Sequence, residues 1–141
     1  MQYRQFGDTF LVRLDRGEEI TAQLKTLVTE EKIKLAQVSA IGAVDEVTVG
    51  VYKVSEQKYY ANHFQGDFEI VSLSGTIDTM DDECYTHLHI SVGDSQGRVF
   101  GGHLTEARVS ATCEMVVRLL DGRINRQRDE VTGLNVWQLS T

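Results

Sequence analysis

Three of the chain's four histidines have a spacing that favours a metal site. His87 and His89 are two residues apart, and His103 follows a pair of glycines. In a β-strand, residues i and i+2 point to the same side, so His87 and His89 share one face while Leu88 and Ile90 take the other. Three neutral imidazoles are a common ligand set for zinc and related divalent ions, and they leave one coordination position open for water or substrate.

The residues between these histidines predict a hairpin that would bring all three together. Residues 93–97, Gly-Asp-Ser-Gln-Gly, indicate a three-residue loop that closes on a left-handed glycine, Gly97. In that register His89 faces His103, and one face of the hairpin stays apolar. The apolar pairs would be Ile90 with Gly102, Val92 with Phe100 and Leu88 with Leu104. Cross-strand Cβ atoms lie about 5 Å apart, close enough for three imidazoles to meet at one ion.

A polar sheet face on which the three histidines only form hydrogen bonds is the alternative to a metal site.

Other residues offer weaker ligand candidates. His63 has no partner in sequence and is expected at the surface. Cys84 and Cys113 are too few for a disulfide framework, so we interpret them as reduced and structural, and the chain as cytoplasmic. Metal ligation by Cys84 stays open, although its position in the alternation places it with the core.

The composition is that of one globular domain, expected to span residues 1–141. The chain is 41% hydrophobic and 25% charged. No apolar run approaches the roughly 20 residues that span a bilayer, and the first residues lack the apolar stretch of a secretory signal. The net charge of −7 disfavours general binding to phosphate backbones, which depends on Lys and Arg. Because the chain has neither a membrane-spanning apolar run nor a secretory signal, we expect no membrane association.

One basic concentration near the end of the chain could still contact nucleic acid. It consists of Arg118, Arg123, Arg126 and Arg128. Acidic residues at positions 121, 129 and 130 are interleaved with these arginines. A solvated polar loop is therefore the alternative interpretation of this segment.

One helix is expected near the start of the chain. Residues 15–18, Asp-Arg-Gly-Glu, predict a capping box with Asp15 as the N-cap. Apolar residues then follow at helical spacing until Lys32, and they form a stripe that must pack against a sheet. The stripe consists of Ile20, Leu24, Leu27 and Val28.

Most other segments alternate apolar and polar residues, which is typical of strands. The expected strands lie within residues 3–14, 35–41, 47–51, 59–64, 68–73, 109–119 and 134–139, besides the histidine hairpin. A shift of the alternation after Phe68 indicates a bulge or burial on both faces. We interpret residues 109–119 as an apolar edge strand that needs a covering partner, and Trp137 as a core or interface anchor. The predicted fold class is α+β, with one long helix on a mainly antiparallel, twisted sheet.

Several motifs together resemble the PPC (plants-and-prokaryotes-conserved) domain. They are Gly-Asp-Phe-Glu-Ile-Val-Ser-Leu-Ser-Gly at 66–75, His-Leu-His at 87–89 and Gly-Gly-His-Leu at 101–104. The similarity also takes in residues 17–20, 41–43 and 50–52, so it spans nearly the whole chain. It implies an antiparallel sheet with a helix, assembly as a homotrimer, and His87, His89 and His103 as candidate metal ligands, as in the stand-alone prokaryotic members.

The resemblance also bears on DNA. Members of the family are commonly described as DNA-binding proteins. In the plant members, DNA contact is attributed to a separate Arg-Gly-Arg-Pro hook, while the PPC domain mediates assembly and partner binding. This chain has no proline and therefore no such hook.

Three functions from different classes follow. The first is a homotrimeric DNA-associated or regulatory protein. The second is a metal-dependent enzyme or binding protein for a small molecule, in which a metal-bound water could act as nucleophile and Glu106 as base. The third is a structural module stapled by metal, which ranks last because a structural site would normally be closed by a fourth ligand. Zinc is the expected ion in each case.

Overall fold

The computed structural model describes residues 1–139, which form antiparallel strands and one α-helix. The predicted α+β class is confirmed. The elements are β1 (Gln2–Phe6), β2 (Thr9–Asp15), α1 (Ile20–Glu31), β3 (Ala36–Lys53), β4 (Lys58–Met80), β5 (Glu83–Gly93), β6 (Val99–Leu119), β7 (Arg126–Arg128) and β8 (Asn135–Trp137), with a short 3-10 turn at Val54–Glu56.

The main sheet closes on itself around the core. Its order is β1-β2-β6-β3-β4-β5, and β5 also pairs with β6. Strands β3, β4, β5 and β6 therefore form a closed ring, from which β2 and β1 extend along β6. Register shifts in the long strands let them curve, as β-bulges do. The buried apolar side chains form one cluster, to which the ring strands, β2 and α1 all contribute.

The helix has the predicted apolar face but is shorter than expected. Ile20, Leu24, Leu27 and Val28 are all buried, as predicted. The prediction of Asp15 as N-cap was wrong, because the carboxylate of Glu19 accepts the N–H groups of the first turn and the helix spans only 12 residues. Within residues 1–139, no helix is long and apolar enough to cross a membrane.

Two pairs of predicted strands are continuous in the structure. The segments 35–41 and 47–51 belong to β3, and the segments 59–64 and 68–73 belong to β4. The expected irregularity after Phe68 is confirmed as a register shift between Ile70 and Ser72, where β4 pairs with β5.

Two predictions about sheet edges were wrong. Residues 109–119 do form a strand, but they lie between β2 and β3 and so are not an edge. The segment 134–139 does not close the main sheet, because only Asn135–Trp137 is a strand and it pairs with β7 in a separate two-stranded sheet. The second sheet is held against β4 by the buried Asp78, as described below.

Candidate metal centre

The β5–β6 hairpin has the predicted register around the histidines. His89 pairs with His103, Ile90 with Gly102, and Val92 with Phe100. Gly97 adopts a left-handed φ of 77°, and the N–H of Asp94 donates to the carbonyl of Arg98 at 2.9 Å, which closes the turn. The local sequence therefore determines which histidines face each other.

The predicted pairing of Leu88 with Leu104 was wrong. The ladder between β5 and β6 ends at His89 and His103; beyond it Leu88 pairs with Gly75 of β4, and Leu104 pairs with Val49 of β3. From there β5 continues along β4 and β6 continues along β3, and α1 packs against both strands. Both leucines are nevertheless buried, as the alternation requires.

The glycine pair before His103 lets three strands approach closely. A Cβ on Gly101 would lie 2.0 Å from the carbonyl oxygen of Ile90, and one on Gly102 would lie 2.5 Å from that of Gly50. Any larger residue would push β6 away from β5 or β3. The glycines therefore fix the backbone that carries His103.

The three imidazoles converge to the spacing of a shared ion. The Nε2 atoms of His87 and His89 are 3.2 Å apart, and one ring nitrogen from each of the three histidines lies within 4.8 Å of the others. Two nitrogens bound tetrahedrally to one zinc at about 2.0–2.1 Å would lie about 3.3 Å apart. His87 and His103 are half-buried, and His89 is exposed. The donor set therefore fits a divalent ion.

The surroundings favour neutral imidazoles. Burial, together with the nearby positive charge of Arg126, lowers the pKa of His87 below its ordinary value. Burial also lowers the pKa of His103, and the neighbouring His89 adds to this effect. Because a ring nitrogen must be unprotonated to bind a metal, the lowered pKa values keep these two ligands available.

We expect the metal-free protein to lose stability as the pH falls from 7.5 to 5.5. The native pKa values of His87 and His103 lie below the unfolded value of about 6.5, so the unfolded chain takes up more protons in this range. This contribution is fully present above the unfolded pKa and is lost as the pH falls through the native values. Urea denaturation in EDTA measures it, and His87→Gln should weaken the dependence. An unchanged midpoint in the wild type would contradict the lowered pKa values.

The histidines line a cavity of about 930 Å³. Tyr59 is the aromatic neighbour of His103: its ring meets the imidazole edge-on with centroids 5.5 Å apart, and its hydroxyl donates to the backbone carbonyl of His103 at 3.1 Å. The backbone and ring of His103 therefore both have a fixed contact on β4. Asn62 and Phe64, also from β4, line the same cavity.

A buried ion pair borders the cavity next to His87. The guanidinium of Arg126 donates to both carboxylate oxygens of Asp78, at 2.7 and 2.8 Å, and to the carbonyl of Asn135 at 2.9 Å. The indole N–H of Trp137 donates to the same carboxylate at 2.7 Å, and the guanidinium lies 4.5 Å from the ring centroid of Tyr85. Asp78 thus holds both β7 and β8 against the main sheet.

The four arginines of the basic segment do not form one exposed patch. Arg126 is buried in its pair with Asp78, so the structure removes it from the predicted nucleic-acid contacts. Arg123 pairs with Asp82, Arg118 lies 3.6 Å from a carboxylate oxygen of Asp8, and Arg128 is exposed.

The remaining candidates lie away from the three histidines. Glu106 borders a separate cavity of about 140 Å³ and accepts a hydrogen bond from Thr48, so the structure does not place it as a base beside the imidazoles. His63 is exposed, as expected, with Nδ1 2.8 Å from the Thr48 hydroxyl. Both cysteines are free; Cys84 is half-buried outside the cluster, and burial raises the pKa of Cys113 to about 12.

Sequence reasoning missed much of the cavity wall. Tyr59 and Tyr85 belong to no motif identified in the sequence, and Trp137 was expected to anchor a core or interface. Asp78 lies 48 residues from Arg126 and 59 from Trp137, so no local spacing pointed to their contact. The available signal was Trp137 itself, a large apolar residue within the alternating segment 134–139.

Comparison with known proteins identifies the family. The family model described as the Plants and Prokaryotes Conserved (PCC) domain matches residues 1–121. The chain belongs to this PPC family. The resemblance carried by the motifs at 66–75, 87–89 and 101–104 is thereby confirmed.

Solved structures of similar proteins share the PPC fold over nearly their whole length. A "putative dna binding protein" from Bacteroides thetaiotaomicron is 31% identical, with a TM-score of 0.94 over 97% of this chain and 96% of that one. A metal-containing protein from Archaeoglobus fulgidus is 36% identical, with a TM-score of 0.88 over 98% of this chain and 99% of that one.

A curated relative is much longer than this PPC chain. The bifunctional protein GlmU of a Synechococcus strain is 30% identical over 127 residues, which are 86% of this chain and 19% of the relative. The chain thus spans about a fifth of that protein's length.

Proposed function

We propose that this PPC protein binds one divalent ion, with zinc expected, through His87, His89 and His103, and that the open coordination position faces the cavity and admits a small molecule. The observation that carries the proposal is the convergence of three imidazole nitrogens, all within 4.8 Å of one another, on the wall of a cavity of about 930 Å³. Among residues 1–139, no fourth His, Cys, Asp or Glu joins the cluster. The metal-containing relative from Archaeoglobus fulgidus supports the same proposal.

The chain's own residues would hold and orient the ligands. A bound ion would act as a Lewis acid toward an oxygen of water or ligand. Tyr59 fixes the backbone of His103, and the hairpin ladder fixes His89 opposite it before the ion arrives. Such preorganisation avoids the entropy cost of ordering a mobile loop around the ion. Because no carboxylate of the described residues lines the cavity, the arrangement favours ligand binding over chemistry that needs an Asp or Glu base.

Elemental analysis tests this function. Protein purified without an affinity tag, loaded with zinc and dialysed, should retain about one ion per chain. Retention of well under one ion per chain after dialysis, or loss of zinc at neutral pH without a chelator, would contradict the proposal.

A second candidate function is DNA association as a homotrimer. It is favoured by the similarity to the Bacteroides protein described as a "putative dna binding protein". Contacts would come from Arg118, Arg123 and Arg128, which are exposed, and three copies could group them into a patch that one chain lacks. The net charge of −7 limits the affinity of such a surface.

DNA binding, where present, should be weak and should fall steeply with salt. Each phosphate neutralised by Arg or Lys releases counterions, so the affinity depends on the number of such contacts. Replacing Arg118 and Arg128 by glutamine should weaken binding and flatten the salt dependence in a fluorescence anisotropy titration. Tight binding that survives both substitutions, or that barely responds to salt, would show that the contacts lie elsewhere.

A homotrimer is expected in solution. Several large apolar side chains are exposed on the described surface, including Ile41 and Phe6 at 59% and 55%, and association would cover such residues. Light scattering at micromolar concentration should give three times the chain mass of 15.8 kDa. A stable monomer would contradict this expectation.

A further inference from the structure

We propose that the cavity beside the three histidines binds a small organic anion with an aromatic or apolar body, whose anionic group meets the ion and whose body meets a wall set partly by residues 134–137. This inference rests on the proposed function, since it needs an ion on the histidines.

The charge of the cavity wall points to an anion. The chain contains 21 acidic residues, yet none of the described ones lines this cavity. Among the residues that the structure describes, Arg126 is the only lining side chain with a permanent charge, and the buried Asp78 compensates it from behind the wall. An ion on three neutral imidazoles therefore adds two positive charges that no lining carboxylate balances. A ligand anion would supply that balance, whereas a cationic ligand would be repelled.

The rest of the wall points to an apolar body. Within residues 1–139, six aromatic side chains line the cavity: Tyr52, Tyr59, Phe64, Tyr85, Phe100 and Trp137. Its volume of about 930 Å³ falls in the usual range of roughly 300–1,000 Å³ for pockets that bind organic molecules. A bare inorganic anion would leave nearly all of this aromatic surface without a partner. An anion that carries a ring or a branched apolar group would cover it.

The metal ligands and part of the wall come from different parts of the chain. The histidines lie within residues 1–121, which match the family model, whereas residues 134–137 lie beyond that match and line the same cavity. This outer segment is held rigidly, because Asp78 accepts hydrogen bonds from both Arg126 and Trp137. Residues 134–137 therefore help to select the ligand body, together with aromatic side chains of the family domain, and the family domain also provides the ion.

Calorimetry with three simple probes tests the ligand class. Zinc-loaded protein is titrated with phenylacetate, which has both the anion and the ring; with acetate, which lacks the ring; and with phenylacetamide, which lacks the charge. We expect phenylacetate to bind at least tenfold more tightly than either of the others, and not to bind EDTA-treated protein. Equal binding of phenylacetamide or acetate, or no binding of phenylacetate at millimolar concentration, would overturn the inference.

The zinc content of the same sample separates the two proposals. If the wild type holds no zinc, the proposed function fails, and the ligand class fails with it. If it holds one zinc per chain but does not distinguish the three probes, only the ligand class fails.

A charge placed on the wall tests the anion directly. Asn135→Asp is nearly isosteric and adds one negative charge to the lining, so it should weaken phenylacetate binding roughly tenfold while zinc content stays at one per chain. Gln96→Glu adds the same charge at the exposed tip of the β5–β6 turn, outside the lining, and should leave the affinity unchanged. Equal effects of the two variants, or none for Asn135→Asp, would overturn the placement of the anion.

Loss of the outer aromatic ring tests the wall. Trp137→Ala should weaken phenylacetate binding at least fivefold and leave acetate binding unchanged, whereas Trp137→Phe, which keeps a ring, should retain most of the preference. Val131→Ala changes an 81% exposed residue between β7 and β8 that does not line the cavity, and serves as the control. Unchanged phenylacetate affinity in Trp137→Ala would show that residues 134–137 do not select the ligand.

Discussion

Replacing His89 by alanine is expected to abolish stoichiometric zinc binding while the fold stays intact. The variant removes one of three candidate ligands. Mutation of a residue that only orients a metal ligand already lowers metal affinity by about 10–100-fold. We therefore expect a loss of at least about 100-fold. His89 is exposed, and its side-chain hydrogen bond is to His87, so the core is untouched. Elemental analysis after equal exposure to zinc measures the loss, and circular dichroism checks the fold.

The fourth histidine provides the matched control. His63 is also exposed on a strand, with its ring bonded to Thr48, but it lies outside the cluster. His63→Ala should therefore retain the wild-type zinc content. Equal zinc in the His89 variant and the wild type would show that the ion, where present, does not depend on this cluster.

Replacing Asp78 by asparagine is expected to lower the free energy of unfolding by about 3–5 kcal/mol. The side chain of Asp78 is fully buried, and its carboxylate accepts two hydrogen bonds from Arg126 and one from Trp137. Asparagine keeps the size but leaves the buried guanidinium without a counter-charge, and unpaired buried charges are costly. Urea denaturation of the wild type and the variant in EDTA measures the difference.

An exposed ion pair gives the comparison for this effect. The carboxylate of Asp8 lies 3.6 Å from the guanidinium of Arg118, and both side chains are more than half exposed. Asp8→Asn should produce no measurable change in stability, since exposed pairs are screened by water and salt. Similar unfolding midpoints for Asp78→Asn and Asp8→Asn would show that the buried pair does not hold the β7–β8 sheet as proposed.

Local sequence patterns predicted the elements that carry the histidines. The turn chemistry ending at Gly97, together with the apolar alternation through Ile90 and Val92, allows one register, because a slip by one residue would move the apolar set to the other face. That register brings His89 opposite His103. Helical spacing likewise identified the buried stripe of α1.

Long-range contacts explain what the sequence did not reveal. The sequence of residues 109–119 does not show whether the strand is central or at the edge of the sheet. Only its pairing with β2 and β3 places it inside the sheet. The burial of Arg126 depends on Asp78, which is far away in sequence, so the local sequence does not distinguish Arg126 from the exposed Arg128. The helix begins later than predicted, because Glu19 rather than Asp15 accepts hydrogen bonds from the N–H groups of the first turn.

The structure does not support equally the functions predicted from the sequence. The histidines face a cavity rich in aromatic side chains, whereas the arginines expected to contact DNA are scattered, and one of them is buried. A binding site for a small molecule on a metal ion therefore has more support in the described residues than a nucleic-acid surface does. Glu106 has no place in that site, which argues against a carboxylate base from this position.

X-ray absorption spectroscopy at the zinc edge tests the central claim most directly. The zinc-loaded wild type should show three imidazole nitrogens at about 2.0–2.1 Å and an oxygen ligand, with only the oxygen shell changing when phenylacetate is added. Sulfur at about 2.3 Å, fewer than three imidazoles, or a fourth protein ligand that phenylacetate does not displace would contradict an open three-histidine site.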